Sequence, residues 1–391
     1  GRCGDIEGVW IEPVMAQEMM IFDIRSRRVG DPNELGLRQS GTAGAILPRG
    51  AGNWRQRQYA KVNRGGWRGA RLCLELRKTE AEGAVFFKET AEWQAVGAGI
   101  VEALTVHLAQ YGFRPDQLGL ALVSRGPQGA EGFAHRGDWT CYPCSLVKAF
   151  HLVHALAALD EGRIVEEPEL TRALADMILW SSNTATNYVI DTVTGTTGDT
   201  LLQGAEWMDF TVKRGRLSGW FQALDWPEFA GCSITQKLMD DTRYGREAQF
   251  AGAEGENLNV LTPLAAARVL WELFDGDLPL SDASRLRAQD ILRRSSSHPQ
   301  AATPAYQLTE YLGGDLPQDL RIWSKAGHNL WTGEPKTSWY KHDMLRAQAH
   351  SGRALIMVVM TQGRGLAETY PQAFGAMGRL IWDMCEGMLD G

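Results

Sequence analysis

No apolar run in this chain of 391 residues is long enough to cross a membrane. Stretches such as Ala354 to Met360 stop far short of the roughly 20 residues a bilayer requires. Cysteine is scarce, six in all, which excludes a disulfide-stapled scaffold. Cys141 and Cys144 form a C-x-x-C pair, but no second pair follows at zinc-finger spacing, and no βαβ pattern surrounds them as a redox pair would need. Two small, partly buried residues at the start of a helix is the reading that remains. Three catalytic signatures are missing as well: a G-x-x-x-x-G-K-[ST] phosphate loop, an H-E-x-x-H zinc helix and a G-x-S-x-G elbow. His151 and His154 stand i, i+3 on one helix, yet no third ligand is evident, so they read as core or surface histidines. The expectation is an enzyme or binding protein with neither metal nor organic cofactor.

Acidic residues are absent from Leu35 to Leu74, where Arg38, Arg49, Arg55, Arg57, Lys61, Arg64, Arg68 and Arg71 stand. The whole chain carries −7, with 40 Lys and Arg against 47 Asp and Glu, so the rest holds −15. A globally acidic chain is a poor start for a nucleic-acid binder. The plain reading is a basic N-terminal piece on an acidic body; an anionic substrate or a charge-steered partner is the sharper one. With 44% hydrophobic and 22% charged residues the composition is globular, and the length suggests two or three units. No leader peptide is read in the given chain, and the compartment stays open between cytoplasm and periplasm.

Along the chain, residues 1–92 form an N-terminal extension, a small α+β piece or lid. Strand-like text at Arg71–Leu76 and Ala84–Phe87 suggests a hairpin, and Trp54 and Trp67 suit a lid or a homo-oligomer contact. Helical periodicity follows at Val96–Tyr111, then strands at Leu118–Val123 and Gly132–His135. A helix runs from Ser145 through Leu159 and closes at Gly162. Residues 151–295 are expected to be all-helical, with Pro168–Trp180, Thr184–Val193 and Thr262–Phe274 as examples. Strands return at Leu320–Ser324 and Arg353–Thr361, before a closing helix at Pro371–Leu389. Residues 93–150 and 296–391 therefore build one sheet from both sides of a helical insertion, an α+β arrangement.

The positive chemical signal is Ser145-Leu-Val-Lys148. On a helix, i and i+3 share a face, so the Lys amine can reach the Ser hydroxyl. A serine hydroxyl needs a base, and a lysine whose pKa is lowered by burial can serve. The pattern is weak alone, and Ser338-Trp-Tyr-Lys341 matches it too. Context favours Ser145, which opens a long helix directly after two strands, whereas Ser338 sits in a connection. Ser181-Ser182-Asn183 lies between two helical patterns, where a helix cap is the plain reading. Lys325-Ala326-Gly327 ends a strand, where a surface Lys beside a turn glycine would be ordinary. Their joint occurrence in this order is much less easily accidental.

Together, Tyr142–Lys148, Trp180–Asn187 and Lys325-Ala-Gly-His328 resemble the S-x-x-K, S-D-N and K-T-G motifs of the penicillin-recognising serine hydrolases, the class A β-lactamase branch above all. Asn257–Arg268 looks like that family's T-P helix start, and the likeness covers about residues 95 to 391. It implies a β-lactamase/transpeptidase-like fold, an antiparallel sheet flanked by helices beside an all-α domain, with the site between them. It implies Ser145 as acylated nucleophile, Lys148 as base or proton relay, and Ser181 as proton donor to the leaving group. Asn183 would hold the substrate amide, Lys325 would supply positive charge and attract a substrate carboxylate, and Gly327 would belong to the site. The backbone N–H groups of Ser145 and His328 would form an oxyanion hole.

The departures are specific. Ser182 stands where the motif has Asp, and Ala326 where it has Thr or Ser. No E-x-x-L-N motif appears between Gly195 and Glu256; Glu228 is the nearest candidate for a deacylating base, with Glu206 and Glu254 weaker. The expected activity is a serine hydrolase cleaving an amide or ester of a small molecule through an acyl-serine intermediate. A β-lactamase, a D-peptidase or esterase-like enzyme, and a degenerate binding or sensor protein are the rivals.

Overall fold

Strand alternation sets up the two faces of a central sheet. In the computed structural model the described residues are 85–240 and 242–390. The basic stretch, the strand text at Arg71–Leu76, and Trp54 and Trp67 lie outside them. The chain runs through helix α1 (Ala91–Ala109), strands β1 (Leu118–Gly126) and β2 (Gly129–His135), and helices α2 (Val147–Asp160), α3 (Pro168–Leu179), α4 (Asn183–Thr194), α5 (Gly204–Gln222), α6 (Gly245–Ala251), α7 (Pro263–Phe274) and α8 (Asp282–Leu292). It then forms β3 (Arg293–Arg294), β4 (Arg321–His328), β5 (Tyr340–Gln348), β6 (Ala354–Gln362) and helix α9 (Ala373–Cys385). The sheet order is β2-β1-β6-β5-β4-β3, with every pairing antiparallel.

The apolar run of β6 is central and covered on both faces, which is why it reads as a continuous hydrophobic segment rather than an alternating one. Leu355, Met357 and Val359 pack with Ile100 and Leu104 of α1 and Phe374 and Met377 of α9. Ile356, Val358 and Met360 point the other way, into a core shared with α2 and α7. Helix α7 starts where the Thr262-Pro263 pair predicts: the Thr262 side chain accepts from the Ala265 N–H at 3.1 Å, and Pro263 occupies the first turn.

Strand β5 escaped the sequence reading because Lys341, His342, Asp343 and Arg346 interrupt any apolar pattern, yet all four are buried. The second S-x-x-K pair is the approach to this strand, where residues three apart face opposite ways. Lys341 is accordingly turned onto the Tyr311 ring, its Nζ 4.4 Å from the centroid.

Helix α2 is buried over nearly its whole length, histidines included. His151 has no hydrogen-bond partner at either ring nitrogen, and His154 stacks on Trp220 at 5.6 Å. Burial pushes His151 down to about 3 and His154 to about 4, and His342 of β5 is likewise held at about 4. These groups are neutral in the fold but protonated in the unfolded chain below about 6.5, so stability is lost as pH falls through that value. Asp343 opposes them, its carboxyl raised to about 7 by burial. Replacing His151 by leucine is expected to flatten the acid limb by about 1.4 kcal/mol per pH unit between pH 5 and 6. Urea denaturation across that range measures it; an unchanged slope would mean His151 is protonated in the fold.

Candidate active site

Three short segments from different parts of the chain converge at the C-terminal end of β4. The first is the turn into α2. Cys144 takes a left-handed backbone, φ 51°, and a single 3₁₀ turn, Cys144–Leu146, then presents half-buried Ser145 at the start of the helix. Non-glycine residues in that region cost about 1–3 kcal/mol and need surrounding structure to hold them. His342 supplies part of it. Its Nδ1 accepts from the Thr361 N–H at 3.1 Å, so its Nε2 carries the proton and donates to Tyr142 O at 3.0 Å, tying the turn to the sheet.

Gly327 lets β4 pass directly under this turn. A Cβ on it would lie 2.5 Å from the Ser145 nitrogen and 3.0 Å from that of Leu146, backbone atoms that cannot yield. The Asn329 N–H bonds to Tyr340 O at 2.9 Å, so in an alternating antiparallel ladder the N–H of His328 points away from β5, toward the Ser145 side. The turn that carries Ser145 and the end of β4 that carries His328 thus lie against each other and line one cleft.

The second segment follows α3. Ser181 is also left-handed, φ 54°, and Ser182, where the family motif has Asp, caps α4 by accepting from the Ala185 N–H at 3.1 Å. Arg294 of β3 bonds to Ile178 O at 2.7 Å and Leu179 O at 3.2 Å, fixing the helix end that delivers Ser181. The Ser181 hydroxyl then stands between two lysine amines, 3.2 Å from Lys148 Nζ and 3.0 Å from Lys325 Nζ. Lys148 also donates to Ser181 O and, at 2.7 Å, to Asn183 Oδ1. No hydrogen bond joins Lys148 to Ser145 Oγ in this arrangement; the amine is turned toward Ser181 and Asn183.

Both lysines are fully buried. Burial pushes Lys148 down to about 7, partly offset by the negative charge of Asp240. Lys325 lies well below the usual lysine range, through burial first and then repulsion from Lys148 and Arg294. Cys144 and Cys141 shift the opposite way, burial holding both thiols protonated. They are packing residues, and among the described residues no group of His, Cys, Asp and Glu could hold a metal ion.

A cleft of about 1190 Å³ opens over the site, lined among others by Ser145, Ser181, Asn183, Asp240, Gln307 and His328. Asp240 and Gln307 were invisible in the sequence. Asp240 accepts from Asn183 Nδ2 at 2.5 Å, and Gln307, left-handed at φ 56°, caps Lys325 through its side-chain oxygen. No motif marks either, and the positive φ that Gln307 shares with Cys144 and Ser181 is visible only in the fold. Glu228 is corrected. It does not line the cleft; both carboxylate oxygens are buried without a hydrogen bond, 3.8 Å at nearest from Arg268 of α7. Glu206 and Glu254 are exposed and also outside the cleft lining.

An antiparallel sheet between helical layers, with a serine at a helix start and a Ser-x-Asn turn in one cleft and two buried lysines directly behind it, defines the penicillin-recognising class of serine hydrolases. The chain belongs to the beta-lactamase enzyme family, whose sequence model matches residues 165–385. Among solved structures it is similar to a double mutant of the last common ancestor of Gram-negative bacteria beta-lactamase class A, at 21% identity and a TM-score of 0.51, over 73% of this chain and 99% of that one. It is also similar to a beta-lactamase from Chitinophaga pinensis DSM 2588, at 17% identity and a TM-score of 0.51, over 73% of this chain and 98% of that one. Identities this low show the fold alone. No curated protein matches by sequence.

Proposed function

We propose that this chain is a serine acyl-hydrolase that cleaves an amide or ester through an acyl-Ser145 intermediate with lysine assistance. The observation that carries the reading is the Ser181 hydroxyl held between the Lys148 and Lys325 amines in the cleft that Ser145 lines. Lys148, one helical turn beyond Ser145 and near-neutral in affinity for protons, is free base above about pH 7. It takes the Ser145 proton as Oγ attacks the carbonyl carbon. The developing oxyanion accepts from the Ser145 and His328 N–H groups, donors that contribute roughly 3–4 kcal/mol each. Collapse expels the amine or alcohol, which receives the Ser181 proton; protonated Lys148 replaces that proton through the existing hydrogen bond. Asn183 orients the substrate.

Hydrolysis of the acyl-serine needs a second base. Asp240, fixed by Asn183 and facing the same cleft, takes a proton from water as the water attacks the acyl carbon, and returns it to Ser145 Oγ as the ester breaks. This gives the chain a carboxylate for turnover without the motif that the resemblance implied, and it favours a hydrolase over a degenerate sensor. The test is intact-protein mass spectrometry with an activated phenyl ester, followed by peptide mapping. An acyl adduct on Ser145 that decays is expected; turnover with no adduct at Ser145, or an adduct elsewhere, would overturn the assignment.

A further inference from the structure

The resemblance implies that Lys325 attracts a substrate carboxylate, but the hydrogen bonds around it argue otherwise. A lysine amine has three N–H donors when charged and two when neutral. Those of Lys325 are directed to Ser181 Oγ at 3.0 Å, to Gln307 Oε1 and to Ala326 O, which leaves none for a ligand. The residue after it, Ala326, has no hydroxyl and is fully buried. The group that covers Lys325 from the cleft side is an uncharged amide, Gln307, itself held in a left-handed turn. Among the described residues lining the cleft, the remaining charges are Asp240, Glu334 and Arg243, two anions and one cation, and Arg243 is already paired with Glu334 at 3.2 Å. A carboxylate entering here meets two carboxylates on the cleft wall, a single arginine already paired to one of them, and no uncommitted donor on Lys325. One stretch of the rim is apolar: Leu330 is 44% and Trp331 55% exposed, with the Trp339 ring tilted against Trp331 at 6.2 Å.

We propose that the substrate of this site is an uncharged amide or ester that carries no carboxylate beside the scissile bond and lays an aromatic or aliphatic group on Leu330 and Trp331. This rests on the acyl-serine reading above and names the substrate class for it. Penicillins, whose carboxylate flanks the lactam ring, are by the same argument poor substrates. The chain's β-lactamase ancestry then describes its fold and its acyl-transfer machinery rather than its substrate.

The experiment compares phenyl phenylacetate with its 3-carboxyphenyl analogue, since a meta carboxylate changes the leaving phenol's acidity little. The uncharged ester is expected to have a kcat/KM at least about tenfold higher at low salt, with the gap narrowing as salt screens the cleft charges. Glu334→Gln is expected to raise kcat/KM for the charged ester more than for the uncharged one. The pair Gln307→Ala with Ala326→Thr, which frees a Lys325 donor and supplies a hydroxyl, is expected to do the same. Equal or better use of the charged ester, with Ser145 acylated by both, would overturn the substrate class and leave the nucleophile standing. If neither ester acylates Ser145, the acyl-serine reading falls and this inference with it.

Discussion

Ser145→Ala is expected to lower kcat/KM by about 10⁴-fold or more on any ester or amide that the protein turns over, a loss of about 5.5 kcal/mol in transition-state stabilisation. The size follows from the division of labour in the cleft. Without Oγ no covalent intermediate forms, and only the two backbone N–H groups and substrate positioning remain to assist attack by water. The fold should survive, because Ser145 is half-buried and the turn is held by Cys144, the His342 bond to Tyr142 O and the close approach of Gly327. Lys148→Ala is expected to be almost as damaging and not additive with Ser145→Ala, since the two act in one step. In the unaltered protein the acylation rate should rise with pH through about 7, where Lys148 loses its proton. A loss of less than tenfold in Ser145→Ala, measured by steady-state kinetics on matched preparations, would remove Ser145 as nucleophile.

How much of this was legible without coordinates depends on whether the signal is local. Helices α1, α2, α3 and α7 and strands β1 and β6 announce themselves through periodicity, Thr-Pro and Gly boundaries, or unbroken apolar runs. Strand β5 does not, because its buried Lys341, His342 and Asp343 each meet tertiary partners that no local pattern encodes. Ser145, Ser181, Asn183 and Lys325 were readable as motifs, and the structure brings all four to one cleft or directly behind it. Asp240 and Gln307 were not. The first lies 57 positions from the Asn183 it bonds and the second 18 from Lys325, so only folding relates them. Glu228 shows the converse failure: an isolated carboxylate beside a tryptophan and a proline attracted notice, but its local turn serves the packing of Phe229 against Phe150 and Phe221. The departures at Ser182 and Ala326 gained meaning only with neighbours in view, one as a helix cap and the other as a missing hydroxyl.

Asp240→Asn is expected to convert the enzyme into one that acylates and stalls. The amide oxygen of asparagine can still accept from Asn183 Nδ2, so the substrate-holding side chain stays in place, but the amide cannot take a proton from water. Removing a general base typically costs 10²–10⁴-fold, and here the loss should fall on deacylation alone. The acyl-Ser145 adduct, transient in the unaltered protein, should then accumulate to one equivalent, with a burst of phenol equal to the enzyme concentration and little turnover after it. A second signature separates this role from a structural one. The charge of Asp240 holds the Lys148 pKa up against burial, so its neutralisation should move the acidic limb of acylation below pH 7 and leave acylation no slower at neutral pH. If Asp240→Asn instead slows acylation and deacylation equally, with the acid limb unmoved, Asp240 only positions Asn183 and the water must be activated by Lys148. The two outcomes differ in a single stopped-flow trace: a burst followed by a plateau in the first case, and a uniformly slower steady state in the second.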